Sequence, residues 1–363
     1  MYVTRKITAL QLYFVLILSI GITNHVLLIP VLLHFGKRDS WVGASASLIP
    51  LLIWVCLLYI VVKRTKQLNM MEWIKQRFGK TVVFLFKWGL ISIFLIHAFI
   101  TLKDVVTWTH VSYLPRTPPL MISLVFMIFC FFAARAGMRA IAVTSGILLP
   151  VVIFLGYFVM GSNFQFKDYS LLTPLFTHGY GPTLTSIMLT CGASFELLSI
   201  VFLQHHVDTR IRLSSLCILA LCVIGLTVGP LTGAIAIFGP FEAADLRYPA
   251  YEQWRMVTVG KYVSHLDFFS IFQWISGACV RTSMLMFLSV DVIGIKKKRT
   301  RTLIMAGISL FFLAVSLYPT SDNGIVLLIQ NWYYPFMFGT GLGLLLIMLA
   351  MSILPIRRKE KNA

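Results

Sequence analysis

The sequence predicts an all-α polytopic membrane protein with ten transmembrane helices. Hydrophobic residues make up 58% of the 363 residues and charged residues only 12%, whereas soluble domains contain about 25% charged residues. Ten apolar segments reach the roughly 18 residues that a helix needs to cross a bilayer. They lie at about 8–35, 41–62, 81–109, 118–136, 140–160, 182–204, 213–239, 266–293, 302–318 and 328–355.

The net charge of +18 is interpreted as a topology signal and not as a sign of nucleic-acid binding. With ten crossings, 21 of the 31 Lys and Arg residues fall on the side that carries both chain ends, and seven fall on the other side. Cytoplasmic loops of membrane proteins carry such an excess of basic residues. We therefore predict that both termini are cytoplasmic, that the basic side faces an anionic lipid surface, and that no nucleic acid is a partner.

Two of the ten segments are interrupted near their centres. The first contains SIGITNHVLLIP at 19–30, and the sixth contains TCGAS at 190–194. Each segment opens a block of five, and an odd number of crossings inverts the second block, as in inverted-repeat transporters. The sequence thus predicts one transmembrane domain over 1–363, with repeat one at about 7–160 and repeat two at about 182–355. For a single break, the alternative is a glycine that only permits close helix packing.

Interrupted membrane helices predict a particular kind of ligand. A break exposes N–H groups with partial positive charge and C=O groups with partial negative charge. These ends suit the carboxylate and the ammonium of a small zwitterion such as an amino acid, and glycine permits close approach to the backbone. The predicted ligand-binding residues at the two breaks are Gly21, Ile22, Thr23, Asn24, Cys191, Gly192, Ala193 and Ser194.

Ionisable residues inside the apolar segments supply further candidates. Each costs about 2.5 kcal/mol or more near the bilayer centre and so needs a partner or a polar cavity. Glu196 follows the second break, Arg281 lies near the middle of the eighth segment, and His97 lies near the middle of the third. Glu196 and Arg281 are interpreted either as a structural ion pair or as ligand-binding residues, and the two interpretations are compatible. His97 is either a ligand-contacting or proton-relay residue or an ordinary interior histidine.

The sequence contains no motif that is typical of an enzyme or of a cofactor site. HExxH, GxSxG and the Walker A lysine pattern are absent, and the six Cys residues lack metal or redox spacing. His205, His206 and Asp208 are predicted to lie on a solvated face at a cytoplasmic helix end. We expect no enzymatic activity, no cofactor and no metal.

Four longer motifs resemble one family. The chain is similar throughout to the B subunits of nutrient germinant receptors of endospore-forming bacteria, within the amino acid–polyamine–organocation transporter superfamily. The motifs that carry this resemblance are DYSLLTPLFTHGYGPTL at 168–184, GASFELLSI at 192–200, GPFEAADLRYPAYEQWR at 239–255 and HLDFFSIFQWISGACVRTS at 265–283.

The resemblance implies a leucine-transporter-like fold in which segments 1, 3, 6, 8 and 10 line a pocket, which adds Tyr334 to the candidates. It also implies a receptor subunit of the spore inner membrane that binds a germinant, often an amino acid, and works with a membrane A subunit and a lipoprotein C subunit. The alternative is an amino acid or amine permease of the same superfamily. The fifth segment lacks the lysine of some proton-coupled relatives, so Arg281 is a candidate for that fixed positive charge.

Overall fold

The computed structural model describes residues 6–260, 263–316 and 322–354. Within these ranges, nine helical stretches are long and apolar enough to cross a membrane. The first of them runs for 57 residues from Ala9 to Thr65 and contains the first two predicted segments. The chain turns between these two at Lys37, whose φ of 50° is not helical. All ten predicted segments are therefore helical, and the predicted class of fold is confirmed.

Repeat one of the sequence prediction contains seven helices. Thr8 begins the first with a capping box, in which its hydroxyl accepts from the Gln11 N–H while the Gln11 side chain accepts from the Thr8 N–H, satisfying two end donors. The helices are α1 (Ala9–Gly21), α2 (Leu28–Gly36), α3 (Ser40–Ala46), α4 (Leu48–Thr65), α5 (Met70–Ser112), α6 (Pro119–Ala136) and α7 (Met138–Ser162).

Repeat two contains nine helices, of which α11 and α12 lie in the loop between two crossings. Proline occupies the first turn of several of them, where its missing N–H costs nothing. The helices are α8 (Gly181–Ser194), α9 (Ser199–Leu203), α10 (Leu213–Phe238), α11 (Pro240–Asp245), α12 (Pro249–Arg255), α13 (Phe269–Ile293), α14 (Lys298–Ser316), α15 (Asp322–Leu328) and α16 (Tyr334–Ile353).

Both predicted breaks are changes of helix type and not unwound segments. A π-helical segment, Ile22–Leu27, joins α1 to α2, and a 3₁₀ segment, Phe195–Leu198, joins α8 to α9. A second π-helical segment, Ile329–Tyr333, which the sequence did not predict, joins α15 to α16. Because the backbone hydrogen-bonds within these wider and tighter turns, it does not offer the free helix ends that we expected a ligand to contact.

The helix α5 is longer than the third predicted segment. Its first turns, from Met70, lie between the second and third predicted segments. Gly79, with a φ of 87°, separates them from the membrane-crossing part. Only glycine adopts such a φ at low cost. The Asn69 side chain begins the helix by accepting from the N–H groups of Met71 and Glu72.

The loops at one end of the bundle, together with the helix turns beside them, carry 13 of the 31 lysine and arginine residues, and we call this the basic end. They join α4 to α5, α9 to α10 and α13 to α14. At this end the Ile7 N–H donates to the His206 carbonyl at 2.9 Å. Arg64 donates to the Ser352 carbonyl at 3.3 Å. The described chain therefore starts and finishes at the same end of the bundle, as the topology prediction requires.

An aromatic cluster lies at the opposite end. Trp108 and Trp274 stack with ring centroids 4.0 Å apart, which joins α5 to α13. The Tyr113 hydroxyl donates to the Asp267 carbonyl at 2.8 Å, and the Tyr251 hydroxyl donates to the Asp267 carboxylate at 3.4 Å. Burial raises the pKa of both tyrosine hydroxyls, so they remain protonated donors at neutral pH.

Candidate functional site

A buried ion pair lies where the three irregular helix segments meet. Arg281 on α13 is fully buried and Glu196 in the 3₁₀ segment is 5% exposed. The Arg281 Nη2 lies 2.6 Å from Glu196 Oε2, and Nε lies 3.2 and 3.0 Å from the two carboxylate oxygens. This two-pronged contact is the strongest geometry for an arginine and a carboxylate.

The remaining donors of the guanidinium reach two further segments. Nη1 of Arg281 donates to the His97 carbonyl at 3.2 Å and to the Thr101 hydroxyl, both on α5. Nη2 also donates to the Tyr333 hydroxyl at 3.1 Å, in the second π segment. The charge is therefore neutralised by Glu196 and all sides of the guanidinium are hydrogen-bonded, as a buried arginine requires.

The carboxylate is bound from the first crossing as well. The Ser19 hydroxyl donates to Glu196 Oε1 at 2.5 Å, and the Thr23 hydroxyl donates to Oε2 at 3.4 Å. Ser19 and Thr23 are four residues apart and so share one helix face, as do His97 and Thr101. The pair thus connects α1, its π segment, α5, the 3₁₀ segment, α13 and the second π segment.

His97 borders this pair without bonding to it through its ring. Its Nδ1 lies 4.0 Å from Glu196 Oε2, and its ring meets the Tyr333 ring edge to face at 5.5 Å between centroids. The buried Nε2 has no hydrogen-bond partner among the residues that the structure describes. A buried nitrogen of this kind is suited to a water or ligand contact.

Asn24 and Tyr334 brace the first π segment. The Asn24 amide donates to the Ser194 hydroxyl at 3.2 Å and to the Thr227 hydroxyl at 3.1 Å. The Tyr334 hydroxyl donates to the Thr23 carbonyl at 3.0 Å. These predicted residues are thus close to the ion pair but bind protein groups in this conformation.

Three predicted residues of the second break pack against neighbouring helices. A Cβ atom added to Gly192 would lie 3.0 Å from the Tyr334 carbonyl oxygen and 3.1 Å from Phe338. The Cys191 thiol donates to the Ser47 carbonyl at 3.8 Å, and Ala193 is fully buried. An added side chain at Gly192 would therefore meet α16, while the glycine itself lies in the wall of a cleft beside the ion pair.

Gly21 and Ile22, at the first break, differ from each other in how closely they are packed. A Cβ atom on Gly21 would meet only the Leu226 side chain, at 4.0 Å, so this glycine is not required by packing. Ile22 instead fills the gap over Gly277 on α13. Of the two predicted residues, Ile22 has a packing role between α1 and α13.

A narrow cleft opens beside the ion pair. The polar residues in its wall are Glu196, His97, Ser199 and Thr340, and the rest of the wall is glycine and apolar side chains from α5, α8, the 3₁₀ segment, α9, α13 and α16. Three groups that complete the site, Ser19, Thr101 and Tyr333, were missed from the sequence. The four-residue spacing of Ser19 to Thr23 and of His97 to Thr101 within apolar helices is the signal that could have found two of them.

Two tyrosine variants distinguish the contributions that Tyr333 and Tyr334 make to stability. Tyr333→Phe leaves an N–H of a buried cation without its acceptor, and Tyr334→Phe removes a neutral hydrogen bond to the Thr23 carbonyl. Hydrogen bonds to charged groups contribute roughly 1.5–3 kcal/mol and neutral ones about 1 kcal/mol. We expect thermal melting in detergent to show the larger loss for Tyr333→Phe. Equal losses would mean that the hydroxyl does not stabilise the guanidinium.

The architecture and the buried polar centre define the chain as a multi-pass membrane protein of the transporter type. In shape it resembles the crystal structure of MhsT in complex with L-phenylalanine, with a TM-score of 0.57 and 14% sequence identity, covering 97% of this chain and 93% of that one. This likeness confirms the leucine-transporter-like fold.

Sequence comparison identifies the family. Residues 6–353 match the model of the spore germination protein family. Spore germination protein XB of Bacillus anthracis is 37% identical over 354 residues, which are 97% of this chain and 99% of that protein. The chain belongs to the spore germination protein family. Both family and fold are of the permease and transporter type and not of an enzyme type.

Proposed function

We propose that the chain is the membrane-embedded B subunit of a spore nutrient germinant receptor. It binds a small zwitterionic germinant, an amino acid, within the helix bundle and passes a conformational change to an A subunit in the membrane and a lipoprotein C subunit. It lies in the spore inner membrane with the basic end and both termini in the cytoplasm. The family assignment and the transporter-like fold support this proposal.

The observation that carries the proposal is the ion pair between Glu196 and Arg281, held by groups from α1, α5 and the second π segment. Burying a single additional charge beside it is costly. A zwitterion adds one charge of each sign, so its carboxylate can share Arg281 while its ammonium shares Glu196. Thr23 and His97 lie beside this pair, and Asn24, Ser194 and Tyr334 hold the segments next to it.

Ligand exchange at this pair provides a signal. The two charges connect several helices at one point, so a ligand that replaces one of these contacts favours a different arrangement of the helices. The cleft beside Glu196 has mainly apolar walls, which suit an apolar germinant side chain. MhsT, which has a similar fold and binds L-phenylalanine in its crystal structure, supports an amino acid as the class of ligand.

Gene deletion followed by analogue testing checks this proposal. Spores that lack the gene are screened for nutrients that no longer start germination. Wild-type spores then receive an active amino acid, its amide and its N-acetyl derivative, which each lack one of the two charges. We expect both derivatives to require concentrations at least about tenfold higher, or roughly 1.4 kcal/mol of lost binding. Equal potency of the three compounds would contradict a site that pairs both charges.

The transporter-like fold favours one second function, an amino acid or amine permease. Uptake of the labelled germinant into vesicles that contain the chain alone distinguishes the two. A receptor gives no accumulation above empty vesicles, and a permease gives accumulation that Glu196→Gln reduces. Omitting sodium should leave the germination response unchanged, since Arg281 supplies a fixed positive charge within the site.

A further inference from the structure

Two histidines and an aspartate converge at the basic end, away from the proposed germinant site. His205 and His206 lie in the 3₁₀ turn that follows α9, and Asp291 lies in the last turn of α13. The Nε2 atoms of the two histidines lie 3.2 and 3.0 Å from the same carboxylate oxygen, Oδ2 of Asp291. The three side chains offer ligand atoms within 4.8 Å of one another.

The side chains are open enough to exchange an ion with solvent. Their exposed fractions are 20% for His205, 24% for His206 and 10% for Asp291. The sequence predicted the two histidines to lie on a solvated face and did not connect them with Asp291. The fold brings the three together because α9 and α13 end at the same side of the bundle.

Asn69 contacts the His205 nitrogen that faces Asp291. Its Oδ1 accepts from the N–H groups of Met71 and Glu72 at the start of α5, so its amide nitrogen must face His205 Nε2, at 3.2 Å. This histidine nitrogen either carries a proton that it donates to Oδ2 of Asp291, or it is an acceptor whose lone pair faces that carboxylate. In the second form a metal ion that replaces the proton removes the repulsion between the two acceptors.

A second set of contacts orients Asp291. Arg301 donates to the other carboxylate oxygen, Oδ1, at 3.3 and 3.2 Å, which leaves Oδ2 to the histidines. The Phe287 ring lies under the Arg301 guanidinium and against the edge of His206. Outer contacts that fix ligand orientation in this way are typical of metal sites.

We propose that His205, His206 and Asp291 form a transition-metal site that takes Zn²⁺ or the chemically similar Co²⁺. Two imidazole nitrogens and one carboxylate oxygen suit these ions, with water in the open position. The bound ion clamps the end of the sixth crossing to α13. These are the two crossings that carry Glu196 and Arg281, so the clamp restrains the helices that the germinant pair joins.

Cobalt spectroscopy on the purified full chain in detergent, without an affinity tag, tests the site. Co²⁺ should give visible absorption bands that saturate at one equivalent per chain and disappear on addition of Zn²⁺. His205→Gln and His206→Gln should each weaken Co²⁺ binding at least about tenfold. His178→Gln, which changes an exposed histidine far from this cluster in sequence, is the matched control and should bind as wild type does.

A measurement on the unmodified sequence covers the case in which those variants do not fold. Diethyl pyrocarbonate labels accessible histidines, and Zn²⁺ should reduce labelling of His205 and His206 several-fold while leaving His178 unchanged. Bands that persist in both histidine variants, or equal labelling with and without Zn²⁺, would overturn the proposal. Either test is independent of germinant binding, because both are made on the isolated chain without a nutrient.

Discussion

Glu196→Gln is expected to reduce the amount of folded protein severely, and a second change, Arg281→Met, is expected to restore much of it. The single variant leaves the fully buried guanidinium of Arg281 without a counter-charge, a defect that costs about 3–5 kcal/mol. The double variant removes both charges and so no longer buries an unpaired one. Membrane levels and thermal melting of the two single variants and the double variant measure the coupling.

The surface pair of Glu252 and Arg255 provides the matched control. Its atoms are 2.9 Å apart, but the Arg255 side chain is 59% exposed, and such pairs contribute only about 0–1 kcal/mol. Glu252→Gln and Arg255→Met should therefore leave the melting temperature nearly unchanged, alone or together. Additive losses for Glu196→Gln and Arg281→Met would show that the two buried side chains do not depend on each other.

Gly277→Val is expected to have the second large effect. A Cβ atom at Gly277 would lie 2.6 Å from Ile22 Cγ1 and 3.0 Å from the Leu18 carbonyl oxygen, so α1 and α13 must separate. Overpacking of this kind costs about 1–3 kcal/mol. The separation also stretches the contacts that Ser19 makes with Glu196. Spores with this variant should need a much higher germinant concentration.

A glycine in open space gives the control for this second prediction. Gly307 on α14 has no atom within 4 Å of an added Cβ, so Gly307→Val should alter neither the melting temperature nor the germinant response by a comparable amount. If Gly277→Val behaves as Gly307→Val does, then close approach of α1 and α13 is not needed for the site.

The membrane-crossing segments could be predicted because length and hydropathy alone determine them. The break at Gly79 could not, because it lies outside the apolar runs, and the second π segment was missed although Gln330 and Asn331 interrupt the last apolar run. Glu196 and Arg281 were found as charges in apolar helices, where the cost of burial demands a partner. The neighbours of Cys191 and Gly192 and the meeting of His206 with Asp291 depend on tertiary packing, which the sequence pattern does not show.

Equilibrium binding of an active germinant to the purified chain tests the central claim most directly. Wild-type protein and the Glu196→Gln, Arg281→Met double variant are compared at equal folded concentration, with Glu252→Gln as a control that retains the buried pair. We predict saturable binding by wild type and by the control, and binding at least about tenfold weaker by the double variant. Equal affinity of the double variant and wild type would contradict a germinant site at the buried ion pair.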